Sequence, residues 1–261
     1  MEVVILPDAA EVGRVAAAKI AHTVSRNPSA VIGLATGSSP LAIYARLAEQ
    51  VGAGQLDFGQ AGAFALDEYV GIPLHHPESY AQVIRREVVE PLGMNPSRVH
   101  VPDGRAADIE GACARYESDI REAGGIDVQI LGIGSNGHIG FNEPTSSFAS
   151  RTRIKTLAPQ TRSDNARFFA TADEVPTHCI TQGLGTIMDA RSVVLVAQGE
   201  AKAAAIAAAV EGPVSSMVPA SVLQYHEHAT VIVDEQAASQ LTLGDYYRYT
   251  WDNKPDWQRF A

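Results

Sequence analysis

The sequence predicts an α/β protein built on a single doubly wound, mainly parallel sheet with helices on both faces. Three observations predict it. Short runs of Val, Ile, Leu and Ala recur along the chain, apolar at every position rather than alternately, as in strands buried on both faces. Segments of helical period with readable ends lie between those runs. The 261 residues, 46% hydrophobic and 19% charged, are enough for a core that needs no disulfide or structural metal.

The elements follow in order. Val3–Leu6 is the first strand, and Asp8 with Glu11 forms an N-terminal cap pair ahead of Val12, Val15, Ala16 and Ile20. Strands at Ala30–Ala35 and Ala61–Leu66 flank a helix carrying Ile43, Tyr44, Leu47 and Val51. Ser79 caps a helix through Tyr80, Val83, Ile84 and Val88, and Pro91 stops it. After a strand at Arg98–Val101, Ile109, Cys113, Tyr116 and Ile120 recur at helical steps until Gly124-Gly125. Ile126–Ile133, Ser192–Ala197 and Ala229–Val233 complete the strands, with a further extended stretch at Arg151–Leu157. No repeat, low-complexity tract or linker interrupts the order, so residues 1–261 read as one domain.

Charge narrows the function classes. Twenty basic and 30 acidic residues give a net charge of −10, and no Lys/Arg run is long enough to track a nucleic-acid backbone. Binding to nucleic acid or to an anionic membrane is disfavoured, and any anionic ligand needs a local site working against the global field. Cys113 and Cys179 lie in apolar, helix-like contexts without a Cys-x-x-Cys, as reduced core residues of a cytoplasmic protein would. Met1–Pro7 lacks the basic region of a signal peptide, and the apolar stretch Ala203–Val210 is far too short to span a bilayer.

In a sheet of this type ligands bind beyond the carboxyl ends of the strands, so the residues that follow each strand are the candidates. Thr36-Gly37-Ser38-Ser39-Pro40 follows the second strand: Gly37 permits a tight turn, Ser38 or Ser39 can cap, and Pro40 suits the first helical position. Such a turn offers free N–H groups to a phosphate, though an ordinary capped helix fits it as well. Asp67-Glu68-Tyr69 puts two acids at a strand end, where a carboxylate can serve as a base at a carbon acid.

The stretch Gly132–Pro144 carries a formal Gly-x-Gly-x-x-Gly. A dinucleotide fingerprint must open a helix, and Gly140, Asn142 and Pro144 prevent one. What remains is a glycine-rich loop with His138 and Glu143 five residues apart, a proton-transfer pair near neutral pH. Arg151, Arg153, Lys155, Arg162 and Arg167 gather positive charge that the rest of the chain lacks, and Lys202 sits where a strand gives way to a helix. These cations suit a phosphate, and the first group equally suits a solvated face. His75-His76 and His226-x-His228 have no further ligands at metal-site spacing, so they read as surface or strand histidines and no metal is expected.

In order, Thr36–Pro40, Leu66–Gly71, Gly132–Pro144, Ser150–Leu157 and Gly199–Lys202 resemble the glucosamine-6-phosphate deaminase family, over nearly the whole chain. The resemblance implies a Rossmann-like fold and conversion of glucosamine 6-phosphate and water to fructose 6-phosphate and ammonia, with no organic cofactor. By motif it implies Asp67 as the base between C2 and C1. It also implies His138 as the ring-opening group with Asn136 and Glu143 as partners, and a phosphate site at Gly37, Ser38, Ser39, Arg167 and Lys202. Residues 158–179 resemble the family's mobile lid. Position 136 is Asn, where some members of the family carry Asp and others Asn; an amide orients His138 without stabilising an imidazolium as a carboxylate would.

Ser146, Arg153 and Lys155 match residues that bind N-acetylglucosamine 6-phosphate in the family's regulated branch. The aromatic tail around Tyr246–Trp251 does not align cleanly with that branch's C-terminal tyrosine, so activation stays open. That tail, with Trp257 and Phe260, is apolar enough to pack on the core or on a neighbouring copy, which leaves a homo-oligomer open too. Two rivals fit less well. A 6-phosphogluconolactonase needs no carbon-acid base, which leaves Asp67-Glu68-Tyr69 unexplained. A sugar-phosphate-sensing transcription regulator needs a helix-turn-helix, for which a first strand at Val3 leaves no room.

Overall fold

The computed structural model describes residues 1–260. Among these described residues, ten strands and nine α-helices alternate for most of the length. The strands are β1 Glu2–Leu6, β2 Val31–Leu34, β3 Gly62–Ala65, β4 Asp67–Tyr69, β5 Val99–His100, β6 Val128–Leu131, β7 Arg153–Thr156, β8 His178–Thr181, β9 Val193–Ala197 and β10 Ala229–Asp234. The helices are α1 Ala9–Arg26, α2 Leu41–Gly52, α3 Tyr80–Ile84, α4 Glu90–Leu92, α5 Ile109–Glu122, α6 Pro159–Asn165, α7 Leu184–Met188, α8 Ala203–Val210 and α9 Gly244–Asp252.

Seven strands form one parallel sheet in the order β1-β10-β9-β6-β2-β3-β5. Every residue of β2, β6, β9 and β10 is buried, which explains why these strands read as unbroken apolar runs. Val12, Val15, Ala16 and Ile20 of α1, Ile43 and Leu47 of α2, and Ile206 of α8 belong to the same core as the sheet. The strand order reverses between β2 and β6, and a doubly wound sheet opens a crevice at that point.

Beside it lies a small antiparallel sheet, β4-β8-β7, which the sequence does not announce. Only β7 was expected to be extended. Cys179, expected in a helix-like context, lies on β8 and is fully buried there. Cys113 is on α5 as expected, and both thiols are free.

Local signals succeed where they are self-contained. Asp8 accepts from the Glu11 N–H and Ser79 from the Gln82 N–H, as capping residues do. Three local expectations need correction. Glu11 pairs with Arg14 rather than reaching back to complete a capping box. Neither Ser38 nor Ser39 caps α2; Pro40 itself stands at the N-cap position, and no side chain bonds the helix start. Pro91 does not stop its helix. The chain widens into a π-helix over Arg85–Val89, just before the proline that has no N–H to give, then continues through α4 to Gly93 at φ +62°. His226 is a third kind of histidine, neither surface nor strand: it is buried, with Nε2 2.9 Å from the Ala190 carbonyl.

Candidate active site

The reversal of strand order opens onto a crevice of about 450 Å³. Its wall is made of segments that follow strands: Ala35–Ser39 after β2, Leu66 and Asp67 after β3, Gly132–Ser135 after β6, and Ala201 with Lys202 after β9. Tyr80, Arg86 and Glu87 close one side, the last two carried on the π-helical turn. Thr161, Asp164, Asn165, Arg167 and Phe168 close another.

Asp67 is only 5% exposed and lines this crevice, while Glu68 does not. Alternation along β4 separates the two carboxylates, as strand geometry requires. Glu68 is spent on structure, accepting from the N–H groups of Tyr69, Tyr80 and Ala81 at 2.8, 3.0 and 3.0 Å. Asp67 has no such donors. Burial, and then the charge of Glu68, push its carboxyl up to about 8.

His138 faces the same crevice, its ring lying over Gly134 so closely that a Cβ there would stand 2.2 Å from Cε1. Its Nδ1 is 2.7 Å from Asn136 Oδ1, and Asn136 Nδ2 donates to Glu143 Oε2 at 2.7 Å. Since the Asn136 amide donates to a carboxylate, its oxygen must be the acceptor for the ring, which puts the proton on Nδ1 and leaves Nε2 as the free base. Glu143 Oε2 itself lies 3.6 Å from Nδ1. Burial alone would raise the Glu143 carboxyl; the neighbouring His138, with hydrogen bonds from Thr161 and Asn136, outweighs it and holds the group down to about 2. Asn136 and Glu143 thus stand behind the imidazole rather than in the crevice.

The residues expected to hold a phosphate, Gly37, Ser38, Ser39, Arg167 and Lys202, line the same crevice. Gly37 has φ +88°, the conformation its turn needs, with nothing near where a Cβ would be. Arg167 Nη2 donates to Ser38 Oγ at 3.4 Å, and Lys202 Nζ donates to the Ile133 carbonyl at 2.8 Å. Burial, opposed in part by Asp164, lowers the Lys202 ammonium below its usual range. The basic stretch divides: Arg167 reaches the crevice, whereas Arg151 pairs with Glu117 and Asp189 and Arg162 holds the Val175 carbonyl. Ser146, Arg153 and Lys155 do not line the crevice. Ser146 donates to the Glu143 carbonyl at 2.7 Å, Arg153 donates to Asn142 Oδ1 at 2.6 Å, and Lys155 is half-buried on β7.

Tyr80, Thr161 and Asp164 are among the lining residues that escape the sequence. Tyr80 donates to Tyr69 Oη at 3.1 Å, inside an aromatic cluster with Phe141. Thr161 bonds Glu143, and Asp164 accepts from Ser135 across the crevice at 3.2 Å. The last two lie in a segment flagged only as a lid, where nothing in the residue order says which side chain turns inward. Among the described residues no group of three or more His, Cys, Asp or Glu side chains could hold a metal ion, and no helix is long and apolar enough to cross a membrane.

A switch-point crevice holding a buried carboxyl, a relayed imidazole and two cations marks the chain as an α/β enzyme acting on a small molecule. Residues 8–232 match the model of the glucosamine-6-phosphate isomerase and 6-phosphogluconolactonase family, and the chain belongs to that family. It is 60% identical over 258 residues to a glucosamine-6-phosphate deaminase of Pseudarthrobacter chlorophenolicus, covering 99% of each chain. A solved structure of a monomeric glucosamine-6-phosphate deaminase superposes with TM-score 0.90 at 40% identity, over 92% of this chain and 100% of that one. A 6-phosphogluconolactonase from Trypanosoma cruzi, 20% identical with TM-score 0.75 over 92% and 97% of the two chains, shares the fold alone.

Proposed function

We propose that the chain converts glucosamine 6-phosphate and water to fructose 6-phosphate and ammonia, in amino-sugar catabolism. The observation that carries this reading is the pairing of Asp67 and His138 on one crevice, a carboxyl and an imidazole in different environments. An aldose–ketose shift needs two such groups, one for the ring and one for the carbon acid. The relatives named above support the choice of substrate.

The steps balance as follows. Nε2 of His138 takes the proton from the C1 hydroxyl and returns one to the ring oxygen, giving the open-chain aldehyde. Asp67 takes the C2 proton while O1 gains a proton given up by the nitrogen, forming an enolamine; the Asp67 carboxyl, its proton exchangeable with solvent, then protonates C1 and leaves an imine at C2. Water adds to C2, and ammonia departs with the C2–N bond. The substrate's ammonium, arriving beside Asp67, favours the ionised carboxylate that burial and Glu68 disfavour. Ser38, Ser39 and the Gly37 turn, with Arg167 and Lys202, hold the phosphate. Residues 158–179 close over it as a lid on a single domain of residues 1–261. The buried, unpaired thiols fit a cytoplasmic enzyme.

Ammonia release on mixing the protein with glucosamine 6-phosphate tests the reading, with Asp67→Asn as the control. Release by the wild type and not by the variant is expected; no release by the wild type, or equal release by both, overturns it.

A further inference from the structure

Glu143 divides its two oxygens between two parts of the molecule. Oε2 serves the imidazole side, accepting from Asn136 Nδ2 and lying 3.6 Å from His138 Nδ1. Oε1 serves the start of the lid, accepting from the Ala158 N–H at 3.1 Å and from the Thr161 hydroxyl at 2.6 Å. Both side chains of the shorter contact are buried, Thr161 at 3% exposure and Glu143 at 7%, so water is poorly placed to replace the hydroxyl. Because residue 136 is a neutral amide, Glu143 is the one carboxylate within 4 Å of the His138 ring nitrogens among the described residues. The orientation and charge behind the imidazole therefore rest on a carboxylate that the lid helps to hold.

We infer that Thr161 is a positioning residue for ring opening: its hydroxyl fixes Glu143, and through Glu143 and Asn136 it aligns His138, so the imidazole is competent only when the lid's first turn is seated. This rests on the function proposed above and adds a coupling to it. The lid then does more than exclude solvent. A displaced α6 removes two donors from Glu143 at once, freeing the carboxylate to turn away from Asn136. Substrate bound under an unseated lid would keep its ring.

Thr161 also lines the crevice, so a simple contact with substrate is the rival explanation, and the test separates the two. Thr161→Val keeps the shape and deletes the donor, and Thr161→Ser keeps the donor. Circular dichroism establishes that both fold. Turnover is measured on glucosamine 6-phosphate and on an analogue lacking the C4 and C5 hydroxyls, which stays open. The expected result for Thr161→Val is a loss of about 10-fold in kcat on the cyclic substrate, the order expected for a misaligned group. KM should change little, the loss on the open analogue should be much smaller, and Thr161→Ser should stay near wild type. In ¹⁵N-labelled protein the His138 Nδ1 signal should move in the Val variant and not in the Ser variant. A raised KM with unchanged kcat, an equal loss on both substrates, or a Ser variant as impaired as Val overturns the inference, as does a Val variant indistinguishable from wild type. If the wild type itself does not turn over glucosamine 6-phosphate, the function proposed above fails; if His138→Gln leaves cyclic turnover intact, the ring-opening role of His138 fails, and this coupling with it. If His138→Gln abolishes cyclic turnover while Thr161→Val does nothing, only this coupling fails.

Discussion

Asp67 and Glu68 are adjacent in sequence and opposite in circumstance. Three backbone N–H groups hold Glu68; burial leaves Asp67 with a carboxyl pushed up to about 8. Asp67→Asn keeps the shape and cannot accept a proton, so kcat should fall by roughly 10²–10⁴, while phosphate binding in calorimetry stays intact. Run backwards in deuterated water with fructose 6-phosphate and ammonia, the wild type should place deuterium at C2 of the product and the variant should not. Stability should respond with the opposite sign. Because the folded pKa lies above the ordinary value of about 3.9, the protonated carboxyl favours the native state at low pH. That contribution declines as pH rises from about 4 to about 8, where the folded protein also loses the proton. Asn has no proton to lose, so Asp67→Asn should melt higher than wild type at pH 8 by more than at pH 5. Scanning calorimetry at the two pH values checks this, and a difference independent of pH would show that Asp67 is ionised throughout. His138→Gln should lose turnover on the cyclic substrate and recover part of it on an open-chain one, as befits a group needed for the ring. Equal losses on both would remove His138 from that step.

At the scale of elements, the proposed phosphate end of the crevice is shared by three segments distant in sequence: the Gly37 turn, the stretch around Arg167 and the start of α8. A phosphate remote from the reacting carbons contributes ground-state binding, so Arg167→Ala and Lys202→Ala should mainly raise KM and leave kcat nearly unchanged. A variant that binds glucosamine 6-phosphate normally in calorimetry would take its residue out of the site. Legibility also divides by element. β2, β6, β9 and β10 could be read because burial on both faces leaves only apolar residues to occupy them. β4 could not: Asp-Glu-Tyr has poor strand propensity and is extended because β8 pairs with it. The π-helical turn before Pro91 escapes for a related reason, since a proline reads as a stop and the chain instead widens its helix to accommodate one. His138 and Glu143 are five residues apart and legible as a pair. The grip of Thr161 on Glu143 joins a loop to a lid, and no spacing encodes it.

For the whole molecule, the junction between the two sheets is tied by Glu117 of α5. It accepts from the Thr152 N–H and hydroxyl, from Thr186 of α7 and from Arg151, so one carboxylate joins three segments: α5, the stretch leading into β7, and α7. Burial opposes its charge, and these donors more than offset it, lowering its pKa. Hydrogen bonds to a charged group are worth roughly 1.5–3 kcal/mol each, so Glu117→Ala should destabilise the protein by several kcal/mol without touching the crevice. Urea unfolding would report it as a lower midpoint, and an unchanged midpoint would mean the threonines find other partners. The sheet also orders events in time. β1 sits at the outer edge, and its partner is β10, with Glu2 opposite Thr230. On a ribosome β1 is made before the other strands of this sheet, and the neighbour it pairs with is made after all of them. Val3, Val4, Ile5 and Leu6 must therefore wait, apolar and without a ladder partner, while the intervening strands are synthesised. Throughout that interval the nascent chain displays an adhesive edge that only β10 can cover.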